Sequence, residues 1–102
     1  MHLSSGMTIK SFRDLVVWQN AMKLAEGAYG VAGSMPASEL YGLTRELKRS
    51  AVSIPSNIAE GKGRGRTGHF VNHLIIALGS EAELQTQLEL SVRLGFITAA
   101  RT

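Results

Sequence analysis

Cysteine is missing from all 102 residues, so the chain has no disulfide framework, no Cys-type zinc site and no thiol nucleophile. A secretory hydrophobic region is missing too, and together the two absences give the cytoplasm as the expected location. Long apolar runs are also absent. The stretch Leu74–Leu78 is typical of the longest, and it falls far short of the ~20 residues that a membrane-crossing helix needs. A chain of this size buries roughly 65% of the surface its unfolded form exposes, enough for one core and too little for separate nucleotide and substrate domains.

Charge is present but uneven. The formal net charge is +3, yet residues 45–66 hold Arg45, Lys48, Arg49, Lys62, Arg64 and Arg66 against only Glu46 and Glu60. Such a block attracts polyanions, or it forms a solvated face that keeps an assembly soluble, and both readings stay open. Arg45, Lys48 and Arg49 share a helix face, and they form a continuous track with the other three if the helix leads toward them. No aromatic residue lies between Tyr41 and Phe70, so the block has no stacking platform, and contact with the phosphate backbone is expected over base reading.

Residues 1–10 are polar and small without apolar period and read as a disordered leader, leaving 11–102 as a single helical bundle domain. Ser11 and Asp14 fit a capping box that starts a helix. Leu15, Trp18, Met22, Ala25, Tyr29 and Ala32 then recur at helical spacing, and Gly33 is expected to end that helix in a left-handed cap before Pro36. From Ala37, the residues Leu40, Leu43, Leu47, Ala51, Ile54 and Ile58 predict a second helix to about Glu60, interrupted by a bend at Pro55. The glycine-rich stretch Gly61–Gly68 reads as a loop, with Thr67 as cap of a third helix that reaches about Leu94 and stops at Gly95. In that helix Phe70, Leu74, Ala77, Leu84 and Leu88 form one stripe, widened by Val71, Ile75, Leu78 and Ala82 beyond what two neighbours cover. The fold class is therefore all-α, an up-down antiparallel bundle with three long helices, and the spare apolar surface points to self-association.

Several motifs are weaker than they look. Gly63, Gly65 and Gly68 match G-x-G-x-x-G, but a dinucleotide site needs a strand before it and a helix precedes here. A flexible basic loop is expected, with a phosphate resting beside Arg64 and Arg66 at the start of the third helix as the alternative. His69 and His73 stand one helical turn apart, the spacing of two metal ligands, without an internal glutamate or a third ligand. They read as polar surface or interface residues, and no metal is expected. Glu81 and Glu83 are too close in sequence to face one another across a substrate, and no G-x-S-x-G elbow occurs. No catalytic residue and no cofactor is expected, so the chain reads as a non-enzyme.

Four stretches carry a resemblance. They are Phe12-Arg13-Asp14-Leu15 with Trp18-Gln19, Pro36 with Glu39 to Thr44, the run Ser53-Ile54-Pro55-Ser56-Asn57-Ile58-Ala59-Glu60-Gly61, and Ala77-Leu78-Gly79-Ser80 with Glu83-Leu84. Over Phe12 to Phe96 the chain resembles the four-helix bundle family encoded in intervening sequences of bacterial large-subunit (23S) ribosomal RNA genes. It is also similar to the accessory variability protein of diversity-generating retroelements. The resemblance implies protomers that assemble into a ring, usually a homopentamer, and RNA and a reverse-transcriptase-like protein as partners. It supplies no catalytic residues. Two departures stand out: the family's fourth helix is missing or truncated after Leu94-Gly95-Phe96-Ile97, and Glu46 stands where Gln is more usual.

The family run also has a physical reading. Ser53, Ser56 and Asn57 surround Pro55 and satisfy backbone groups freed there, while Asn57 and Glu60 share a face and pair with a neighbouring helix or protomer. Gly79 with Ser80, and Gly42, suggest close helix approach. The expected function is a homo-oligomeric helical protein that binds structured RNA through Arg45, Lys48, Arg49, Lys62, Arg64 and Arg66. The alternative is a protein-interaction scaffold with no nucleic-acid role.

Overall fold

A computed structural model describes residues 9–98. A 3-10 turn at Phe12–Asp14 is followed by α1 (Val16–Ala32), a second 3-10 turn at Ala37–Glu39, α2 (Leu43–Gly63) and α3 (Thr67–Arg93). Among the described residues there is no strand and no fourth long helix, so the all-α expectation holds.

The capping box at Ser11 forms, but it closes a single 3-10 turn rather than starting a helix. Ser11 Oγ accepts the Arg13 amide at 3.2 Å, and Asp14 Oδ2 accepts the Ser11 amide at 3.1 Å and the Lys10 amide at 2.7 Å. Those two amide bonds hold the Asp14 carboxyl below its usual range. Leu15 then adopts extended backbone, and α1 begins at Val16. Of the expected leader, residues 1–8 lie outside the described residues. Ile9 is instead buried in the core, so the packed chain includes residues that composition alone assigned to the leader.

Helix ends also differ from expectation. Gly33 is right-handed (φ −64°), and α1 ends because the Ser34 and Met35 amides close tight turns onto Val31 and Ala32. The second helix starts at Leu43 rather than Ala37, because the chain turns after Glu39, whose carboxylate then accepts the Leu43 amide at 3.2 Å. It runs on without interruption through the buried Pro55 and continues to Gly63. The expected loop over 61–68 therefore shrinks to Arg64–Arg66, turned by Gly65 at φ +74°. Arg66, not Thr67, is the N-cap of α3, while Gly95 at φ +77° is the expected left-handed stop.

Helix α2 is the spine. Its Leu47, Ala51, Ile54 and Ile58 are buried, as their spacing predicts. Helices α1 and α3 each pack on α2 but scarcely touch one another. The three helices make an open layer with extents of 47 × 24 × 17 Å, and the radius of gyration of 15.5 Å exceeds the ~13 Å of a compact domain this long. In α1 the buried face is turned from the predicted stripe: Ala21, Ala28 and Val31 join Ala32 inside, while Met22 and Tyr29 are exposed. Small alanines let α1 lie close to the crowded centre of α2. In α3, Ala77 and Leu84 are buried as predicted, and the widening residues Val71, Ile75 and Leu78 are exposed.

The close approach of helices falls at Gly61, the last residue of the Ser53–Gly61 run and the first of the expected loop. A Cβ at Gly61 would stand 2.6 Å from His73 Cβ and 3.2 Å from Phe70 Cα, whereas Gly79 has open space and Gly42 faces only Glu39 of its own turn. Gly61→Ala is therefore expected to destabilise the fold by about 1–3 kcal/mol through overpacking. Gly79→Ala is expected to stabilise it by about 0.5–1 kcal/mol. Urea unfolding measures both, and equal effects at the two glycines would contradict the packing described.

Candidate functional site

Three features of the surface could carry chemistry: the α2–α3 seam, the α1–α3 groove and the basic residues at the two ends of α2. The seam carries a chain of polar side chains. Ser80 Oγ of α3 lies 2.7 Å from Ser53 Oγ, and Asn57 Nδ2 donates to Ser53 Oγ at 3.0 Å and to the Ser53 carbonyl at 2.9 Å. With its amide nitrogen so engaged, Asn57 turns Oδ1 toward His73 Nδ1 at 3.0 Å, so that ring nitrogen is the donor. His73 Nε2 lies 3.7 Å from Glu60 Oε2, which accepts Arg64 at 2.8 Å. Asn57 and Glu60 thus pair across to a neighbouring helix, as their shared face suggested. His73 is turned inward, while His69, the other half of the expected histidine pair, is exposed. No group of three or more candidate metal ligands converges among the described residues.

The Glu60 carboxyl is held below its ordinary value, first by the Arg64 hydrogen bond and then by His73. A folded-state value below the unfolded one means that this stabilisation is present above about pH 4.5 and is lost as the pH falls through the depressed value. In thermal unfolding followed from neutral pH downward, Glu60→Gln should flatten the acid side of the wild-type profile. An unchanged profile would mean that Glu60 contributes nothing through its charge.

The groove lies beside the seam, its floor residues about 100° round α2 from Ser53 and Asn57. Val17 and Leu24 of α1 face Leu74 and Leu78 of α3 across a floor of Ile54 and Ile58, enclosing about 280 Å³. The walls are apolar, with Asn20 and Glu81 as the polar members. It is a surface that water covers at a cost, because large apolar patches on a soluble chain are disfavoured.

The six basic residues do not form one track. Arg45, Lys48 and Arg49 lie near the start of α2, and Lys62, Arg64 and Arg66 at or just beyond its end. From Arg49 to Lys62 the axial rise is about 20 Å. Arg49 is paired with Glu46 at 2.7 Å and Arg64 with Glu60, so part of the positive charge is answered within the chain. Arg45 and Arg66 are exposed, and Lys62 is half-buried beside Phe70 and Arg66. Lys48 sits over the Tyr29 ring, 5.3 Å from its centre. The expectation that the block lacks aromatic neighbours is thereby corrected: none lies between Tyr41 and Phe70 in sequence, but folding carries Tyr29 of α1 to Lys48.

Pro55, Asn57, Glu60 and Gly61 all serve the seam or the core, and Gly79 meets nothing. No helix among the described residues is long and apolar enough to cross a membrane. A search of curated proteins finds no match. The family model for the 23S rRNA-intervening sequence protein matches residues 13–102. That span takes in both helices of the seam and the groove, and the chain belongs to the 23S rRNA-intervening sequence protein family.

Proposed function

We propose that the chain is a non-enzymatic cytoplasmic protein that assembles with copies of itself through the α1–α3 groove and binds structured RNA through its basic side chains. The observation that carries the assembly is the apolar groove, whose walls are two helices that α2 holds apart. A ring of such protomers would multiply the exposed cations that one protomer offers, and multivalent attachment raises affinity without new contacts. The likeness to the retroelement accessory protein extends the reading to a homopentamer and a reverse-transcriptase-like partner.

Charge decides how RNA would be held. Arg45, Lys48, Lys62 and Arg66 form no ion pair with a carboxylate among the described residues, whereas Arg49 and Arg64 do. That pairing favours a second reading, a protein-interaction scaffold with no nucleic-acid role. A salt titration separates the two. Four phosphate contacts per protomer predict that affinity for RNA falls by roughly 50- to 150-fold between 50 and 200 mM salt. Reversing Arg45, Lys48, Lys62 and Arg66 to Glu should abolish binding at the lower salt. RNA binding that ignores both salt and charge reversal would overturn binding through these side chains, and no RNA binding at all would leave the scaffold reading.

A further inference from the structure

The turn before α2 presents a ring to solvent in a way that packing does not explain. Tyr41 is 83% exposed, more than any other large apolar side chain described. It does not sit on a loose loop. The Glu39 amide donates to the Pro36 carbonyl at 2.9 Å, Leu40 to Ala37 at 3.2 Å and Gly42 to Glu39 at 3.0 Å. The Glu39 carboxylate then caps Leu43. The backbone is fixed on both sides of Tyr41 while its side chain stands in water.

Its surroundings are aromatic, cationic and concave. Four residues further along, in the first turn of α2, lies the exposed Arg45. The neighbouring Leu40 lines a cavity of about 240 Å³ together with Tyr29, Met35, Thr44 and Lys48. Tyr29 is itself 48% exposed, with the Lys48 ammonium over its ring. The Thr44 hydroxyl is buried and has no hydrogen-bond partner among the described residues. One exposed and one half-exposed ring, two cations without carboxylate partners and an unanswered hydroxyl share this end of the molecule.

Assembly through the groove would leave the patch uncovered. Tyr41 lies 13 residues before Ile54 of the groove floor, and on α1 Tyr29 is about 140° round the helix from Leu24 at 3.6 residues per turn. The two carboxylates nearby are engaged, Glu39 by the Leu43 amide and Glu46 by Arg49, so the charges left without partners, Arg45 and Lys48, are both cationic and favour an anionic ligand over a protein.

We propose that this end binds unpaired nucleotides, with Tyr41 and Tyr29 stacking on bases and Arg45 and Lys48 holding the flanking phosphates. The inference rests on the nucleic-acid reading above and narrows it from backbone contact to base stacking. Base–aromatic stacking tolerates any base, because each has a π-face, and an exposed ring beside cations is the arrangement that exploits it. Bases inside a duplex cannot reach the rings, so the ligand is a loop, bulge or single-stranded end of RNA.

The test is fluorescence anisotropy of the full chain with a labelled oligouridine of about 12 nucleotides and with an RNA duplex of the same length. Tyr41→Ala is expected to weaken single-strand binding by about 5- to 150-fold and to leave duplex binding little changed. Tyr29→Ala should act in the same direction, and Tyr41→Phe should bind as wild type. Circular dichroism melts confirm that each variant folds. Alanine variants that fold and bind the single strand like wild type, while Arg45→Ala with Lys48→Ala still weakens it, would overturn stacking and leave the charge reading standing. Equal loss on both probes would also overturn it. A wild-type chain that binds neither probe at low salt removes both readings together.

Discussion

Among the described residues helix α2 is the only long element with a neighbour on each side, and the way α3 is fixed to it determines what the rest of the surface can do. The contact has two parts. Gly61 lets the helices close until its Cα lies against Phe70 and His73, and the polar chain from Ser80 through Ser53, Asn57 and His73 to Glu60 sets their register. A one-turn slide would break the two hydrogen bonds that cross between the helices, Ser53–Ser80 and Asn57–His73, at about 0.5–1.5 kcal/mol each. With α3 so placed and α1 lying on alanines at the opposite flank, the two outer helices cannot meet. The groove between them is a consequence of the seam.

That constraint gives the Ser53–Gly61 run a structural meaning. Ser53, Asn57, Glu60 and Gly61 lie along α2 on the side facing α3, Ile54 and Ile58 face the groove, and Pro55 is buried without breaking the helix. The run thus serves two interfaces at once, one polar and closed, the other apolar and open. None of its residues is spent on an exposed cation, which is why the basic side chains fall into two groups beyond either end of it.

Much of this was legible from residue spacing. Leu47, Ala51, Ile54 and Ile58 declare the buried face of α2, and the excess apolar width of α3 declares the open side that Leu78 now borders. What could not be read were facts created by tertiary contact. Glycines cost a helix about 1 kcal/mol each, so the run from Gly61 reads as loop until Phe70 and His73 are known to pack there. The α1 stripe weighs Met22 and Tyr29 by size, whereas the spine accepts the smaller Ala21 and Ala28. Local capping chemistry at Ser11 is satisfied by one 3-10 turn as fully as by a helix. The aromatic neighbour of Lys48 comes from α1, so no window on the second helix contains it. His73 differs from His69 in meeting Asn57 of α2, whereas His69 stands exposed, and sequence spacing does not separate the two.

In the proposed assembly the groove is covered by another copy of the chain. Light scattering coupled to size exclusion, run at several concentrations, reads this directly. The expected mass is a constant multiple of the 11.0 kDa protomer, reduced toward one protomer by Leu78→Glu in the groove wall. A wild-type chain that elutes at the mass of a single protomer at every concentration would contradict it.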